Sequence, residues 1–122
     1  MSTDPPGVTS SVGNGILRVT IDRPARMNAV ETDTLVAVAE AFDRHGGDPT
    51  VRAAILTGSG RAFCSGADIS GRDLTAPPTP DTIDAANRVV ATIRDFPRPV
   101  VGAVNGVAAG VGFTSITVAW LS

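Results

Sequence analysis

The chain has 122 residues, 43% of them hydrophobic and 18% charged, with 10 basic and 12 acidic side chains and a formal net charge of −2. That length suits one domain of ordinary size, and a mean hydropathy of +0.18 is enough for an apolar core. The charge balance gives no electrostatic footprint for nucleic acid, the lone Cys64 excludes an internal disulfide and fits a reducing, cytoplasmic setting, and the lone His45 excludes a histidine-rich metal site.

Residues 1–14 carry Pro5, Pro6, Gly7 and Gly13 and lack the basic and apolar run of a secretory signal. They are expected to be a loose terminus in which Val8 to Val12 can form a short edge strand. Ile16 to Asp22 alternates, with Leu17, Val19 and Ile21 on one face and Arg18, Thr20 and Asp22 on the other, which predicts a half-buried strand ended by Pro24. Leu35, Val38, Ala39 and Phe42 fall at i, i+3, i+4 and i+7 and predict a helix over Thr32 to His45, started by Thr32 or Asp33 and closed by Gly46 or Gly47. His45 in its last turn suits the negative end of the helix dipole better than a role as base or ligand.

Val51 to Leu56 predicts a buried strand, and Thr57 to Gly71 a loop with glycines at 58, 60, 66 and 71. Such a loop brings main-chain N–H groups close to a ligand, although a surface connection punctuated by turns has the same local chemistry. Other loop codes fail. No Lys-Ser or Lys-Thr pair follows a second glycine, Phe63 replaces the third glycine of a dinucleotide fingerprint, and Gly-x-Ser-x-Gly is absent. Thr75 to Pro80 cannot be helical. Asp81 to Asp95 predicts a second helix with Ile83, Ala86, Val90 and Ile93 on its stripe and Asp81 and Asp84 at the favourable end, stopped by Pro97. Val100 to Val104 predicts another buried strand, and Ala108 to Ser122 a helix entered through Gly106 and Gly110. Strands alternating with helices imply an α/β domain with parallel pairing.

Three blocks carry a resemblance. Gly60-Arg61-Ala62-Phe63-Cys64-Ser65-Gly66-Ala67-Asp68-Ile69 resembles the first substrate loop of the enoyl-CoA hydratase/isomerase (crotonase) superfamily. Ile21 to Ala29 resembles its early strand and turn, and Arg98 to Gly112 its second substrate segment, in the same order along the chain. The resemblance implies a ClpP/crotonase-type repeated ββα spiral, truncated, with residues 15–122 forming its N-terminal part. It implies acyl-CoA thioesters as substrates, with coenzyme A as part of the substrate and no separate cofactor or metal, and a homo-oligomer, trimeric or hexameric.

Carried over position by position, the resemblance puts the backbone of Ala25, Arg26 and Met27 against the coenzyme A pantetheine and phosphates, where the residues alone equally allow a turn with an exposed arginine. The amides of Ala67 and Val111 become the pair that holds an enolate oxygen. Such donors supply about 3 kcal/mol each, and the second belongs to a helix start, where N–H groups lack intrahelical partners. The amides of Asp68, Ile69 and Ser70 face the adenine and pantetheine end. Hydration also needs a general acid and base. Thr114 stands where the hydratases carry the first glutamate, and the second belongs beyond Ser122.

Two other readings stay open. The missing carboxylates suit a non-catalytic acyl-CoA-binding or subunit-interaction fragment. Pro99 to Ser122 has no charged residue and is long enough for a membrane span. Asn105, five β-branched valines broken by glycines, and few large apolar side chains favour a buried strand and helix instead.

Overall fold

The structure is a computed structural model that describes residues 7–64 and 80–108. Strands β1 (Val8–Gly13), β2 (Ile16–Ile21), β3 (Ala53–Gly58) and β5 (Val100–Ala103) form one sheet in the order β1-β2-β3-β5. The edge strand expected near Val8 forms, antiparallel to β2. It turns through Asn14 and Gly15 at φ 54° and 81°, a pair of left-handed residues that matches the strand twist. β2–β3 and β3–β5 are parallel, as the alternation of elements requires.

Helix α1 (Thr32–His45) connects β2 to β3 and buries Leu35, Val38, Ala39 and Phe42 as its spacing predicts. Its start differs in detail. Glu31 is the N-cap residue, its N–H donating to Thr34 Oγ1 at 3.3 Å, so the cap is set by a Glu–Thr reciprocal pair rather than by Thr32 or Asp33. Gly46 closes the helix at φ −61°, still in the right-handed region. Leu17, Val19 and Ile21 of β2 and Ala54 and Leu56 of β3 join the same buried cluster as α1.

Several expectations about the strands are corrected. β3 begins at Ala53 rather than Val51 and runs through Thr57 to Gly58. Val51 is buried just ahead of it, and the Arg52 N–H donates to Gly15 O at 2.7 Å instead of to a ladder partner. The stretch read as pure loop contains a buried strand, β4 (Ala62–Cys64), because it finds a parallel partner in β6 (Val107–Ala108). Ala108 is therefore strand rather than helix, and the helix expected beyond it lies outside the described residues. In β5 only Val100 is buried, while Val101 and Val104, just past its end, are 56% and 50% exposed, so this strand is covered on one face only.

Helix α2 (Pro80–Asp95) packs on α1, and its buried stripe is Ala85, Val89 and Ile93. Ile83, expected inside, is 47% exposed. Both stripes share Ile93 and both are apolar. The two stripes carry the same residue types apart from Ile83, and α2 is turned so that Ala85 and Val89 are buried, on the side where Thr32 Oγ1 and Thr82 Oγ1 meet at 2.7 Å. Phe96, just past the helix, sets its ring edge-to-face against Phe42 at 5.4 Å. The Arg88–Asp43 pair across the two helices, at 3.0 Å, is exposed on both sides and adds little.

The two isoleucines separate the stripes experimentally. Ile93→Ala removes a fully buried side chain and is expected to cost about 2–5 kcal/mol in denaturant unfolding, whereas Ile83→Ala is expected to cost about 0.5 kcal/mol or less. Equal costs would place Ile83 in the core.

Candidate functional site

In open α/β sheets the carboxyl ends of parallel strands are where ligands gather. Here those ends lead into three segments. β2 runs into a 3₁₀ turn over Pro24–Arg26, β3 into the turn that precedes β4, and β5 into Val104, Asn105 and Gly106. All three meet at residues 58–62.

The first segment is rigid for local reasons. Pro24 opens the turn with its fixed φ. The Met27 N–H donates to Pro24 O at 3.1 Å, and the Asn28 N–H to Arg23 O at 2.9 Å. Met27 and Asn28 both adopt left-handed backbone, φ 53° and 56°. Asparagine tolerates that region through its short polar side chain, but for methionine it costs on the order of 1–2 kcal/mol. Ala25 and Arg26 are exposed and Met27 is half-buried, so the backbone of this turn faces outward. The Arg23 guanidinium donates to Ala29 O and reaches Glu31 Oε1 at 3.5 Å, which holds the far end of the segment.

Asn28 joins this turn to the next. It is 0% exposed. Its Oδ1 accepts from the Arg23 N–H at 2.8 Å, and its Nδ2 donates to Ser59 O at 2.8 Å and Ala62 O at 2.6 Å. Asn105 reaches the same turn from the β5 end. Its Nδ2 donates to Gly60 O at 2.8 Å and Ala62 O at 3.0 Å, and its Oδ1 accepts from the Gly58 N–H at 3.2 Å. The Ser59 N–H donates to Ile21 O at 2.9 Å, and Thr57 Oγ1 donates to Ala103 O at 2.9 Å.

This convergence needs two glycines. A Cβ on Gly58 would stand 2.4 Å from both Ala62 O and Phe63 O, and one on Gly106 would stand 1.9 Å from Arg61 O. No side chain fits at either place, so their absence lets the backbone at 58 and at 106 lie against that of residues 61–63.

Among the described carboxylates, Asp48 has a lowered pKa because its side chain accepts hydrogen bonds from Thr50 Oγ1 and the Thr50 N–H. It belongs to the α1–β3 connection, at the opposite end of the strands from this turn. Arg61 is the cation that sequence reasoning passed over. It is exposed, with Nη2 3.7 Å from Met27 Sδ, so it reaches the first segment.

Ala25, Arg26 and Met27 lie at the 3₁₀ turn that follows β2, Ala25 and Arg26 exposed and Met27 half-buried. Ala67, Asp68, Ile69, Ser70, Val111 and Thr114 lie outside the described residues. Asn28 and Asn105 had no assigned role in the sequence reading. The available signal was an amide side chain inside an otherwise apolar or turn-forming block, which a folded chain must pair.

The profile of the enoyl-CoA hydratase/isomerase family matches residues 11–119. The 1,2-epoxyphenylacetyl-CoA isomerase of Escherichia coli (strain K12) is 37% identical over 112 residues, covering 88% of this chain and 43% of that protein. The crystal structure of an enoyl-CoA hydratase from Mycobacterium avium subsp. paratuberculosis K-10 superposes with a TM-score of 0.80 at 33% identity, over 92% of this chain and 42% of that one. A monofunctional enoyl-CoA isomerase from M. smegmatis superposes with a TM-score of 0.75 at 30% identity, over 93% of this chain and 47% of that one. The chain thus spans less than half the length of these relatives while matching them along most of its own. With the α/β fold, the order of the three segments and the family profile in agreement, the chain belongs to the enoyl-CoA hydratase/isomerase family, with the crotonase fold.

Proposed function

We propose that this chain carries the acyl-CoA-recognising part of a crotonase-type site, one that binds a coenzyme A thioester through backbone groups. The observation that supports this most is the convergence of the 3₁₀ turn, residues 58–62 and residues 104–106 on one carbonyl, Ala62 O. Three peptide segments meet there at the carboxyl ends of parallel strands, held together through main-chain hydrogen-bond acceptors. The left-handed Met27 points the same way, since strained backbone collects at ligand-binding places.

In this reading the Ala25–Met27 backbone lies along the pantetheine, and the exposed Arg26 and Arg61 face the phosphates. The amides of Asp68, Ile69 and Ser70 line the adenine and pantetheine end. The thioester oxygen sits between the amides of Ala67 and Val111, where two fixed donors favour an enolate over a carbonyl. The chemistry such an arrangement serves is hydration or isomerisation of an enoyl-CoA, in a cytoplasmic protein that assembles with copies of itself. Among the described residues, no helix is long and apolar enough to cross a membrane.

Proton transfer sets the limit. A hydratase needs a carboxylate where Thr114 stands, and a threonine hydroxyl, which does not ionise near neutral pH, cannot replace a carboxylate as general acid or base. The chain as given is therefore expected to bind without turning over. A second reading, a non-catalytic acyl-CoA-binding or subunit-interaction piece, draws on the exposed Val101 in β5 and Val104 just past it.

Calorimetric titration with a short acyl-CoA tests the proposal. The chain is expected to bind, more weakly as ionic strength rises. Ala67→Pro, which removes one amide donor, is expected to lower affinity by about 1–3 kcal/mol, and Thr114→Ala to leave it nearly unchanged. Equal binding by all three proteins, or none by the unaltered chain, would contradict the oxyanion assignment.

Hydration of crotonyl-CoA by the purified chain is expected to stay at the uncatalysed rate. Consumption above that background, abolished by Ala67→Pro, would show that Thr114 or another group carries the proton.

A further inference from the structure

Residues 59–61 make a turn closed in an unusual way. A short turn is often closed by a backbone hydrogen bond of its own. Here two asparagine side chains also grip it, delivered from positions 31 to 34 residues away for Asn28 and 43 to 47 residues away for Asn105. Each Nδ2 bridges two carbonyls, Ser59 and Ala62 for Asn28, Gly60 and Ala62 for Asn105. Each Oδ1 accepts one backbone N–H, Arg23 and Gly58 respectively. The amide is the side chain with this capacity, two donors and an acceptor on one planar group.

We propose that Asn28 and Asn105 are positioning residues. They clamp the Ala62 carbonyl from two sides and so fix, relative to the Ala25–Met27 turn, the strand from which the acyl-CoA loop departs. The inference rests on the acyl-CoA reading above and adds to it the groups that hold its parts in register.

The two residues divide the task. Asn28 is sealed under the turn at 0% exposure, where no water can substitute for it. Asn105 is exposed as a residue, and its bond to Gly60 O is open to solvent, so it can be altered without opening the buried cluster. The core of the domain, Leu17, Leu56, Phe42, Val89 and Ile93, does not include either asparagine. What the clamp adds is the placement of backbone at the strand ends. A displaced Ala62 would carry β4 with it, and the residues that follow β4 in sequence include Ala67.

Asn105→Asp is the sharpest variant. It keeps the shape and turns the bridging donor into a carboxylate facing two carbonyls. Asn105→Ala removes the bridge without repulsion. Two measurements on the whole chain separate a positioning role from a merely structural one. The first is amide hydrogen exchange without ligand. Both variants are expected to exchange faster at residues 58–64, with α1 unchanged. The second is calorimetry with crotonyl-CoA and with its thioether analogue, which lacks the carbonyl oxygen. The unaltered chain is expected to prefer the thioester. In both variants crotonyl-CoA affinity is expected to fall about tenfold, with the thioether affinity held within about twofold.

Unchanged exchange at residues 58–64, or a thioester preference kept in Asn105→Asp, would overturn the inference. Loss of α1 protection in both variants would make Asn105 a determinant of the fold and overturn it as well. If the unaltered chain binds neither ligand, the acyl-CoA reading fails and the positioning role falls with it. Faster local exchange would still report the clamp, so the two failures are distinguishable.

Discussion

The carbonyl of Ala62 accepts hydrogen bonds from Asn28 and Asn105 together, and the arrangement of the strand ends depends on that shared acceptor. One asparagine comes from the turn after β2, the other from just past β5, so a single backbone oxygen ties together the three segments at the strand ends. Gly58 and Gly106 are the steric condition for this contact, since a Cβ at either would overlap the backbone of residues 61–63. The parallel sheet supplies the frame, and the two amides decide how its carboxyl ends meet.

Much of the frame was legible in the sequence because it rests on local periodicity. The alternation of Leu17, Val19 and Ile21 and the spacing of Leu35, Val38, Ala39 and Phe42 each admit one arrangement, and each is the one observed. α2 carries two overlapping apolar stripes that share Ile93. Spacing cannot choose between them, because each offers an alanine, a valine and Ile93, and the choice is visible only in how α2 is turned against α1. β4 and β6 are three and two residues long. A strand that short has no period to read, and it exists only because its partner lies beside it.

The candidate site divides along the same line. Pro24 announces the turn that presents Ala25 to Met27, so that part could be read locally. The roles of Asn28, Arg61 and Asn105 arise from contacts between residues more than thirty positions apart. No sequence window contains both partners, and a polar residue within an apolar block is the only trace such contacts leave. The family resemblance supplied the functional reading. The structure contributes how the three resembling blocks are joined, and the join is made by hydrogen bonds to main chain rather than by packing of side chains.

A site built from backbone tolerates changes of side chain better than changes of placement. On the proposed reading this separates binding from turnover: the main-chain N–H groups assigned at positions 67 and 111 are independent of side-chain identity, whereas the proposed proton transfer is set by the residue at 114. The most direct test is an NMR titration of the isotope-labelled chain with crotonyl-CoA, following every backbone amide. If the three segments form one site, the amides of Arg26, Met27, residues 58–64 and Ala67 will shift along a common saturation curve while those of α1 and α2 stay in place. Shifts confined to one segment, or saturation of the three at different ligand concentrations, would contradict a single acyl-CoA site built on the Ala62 carbonyl.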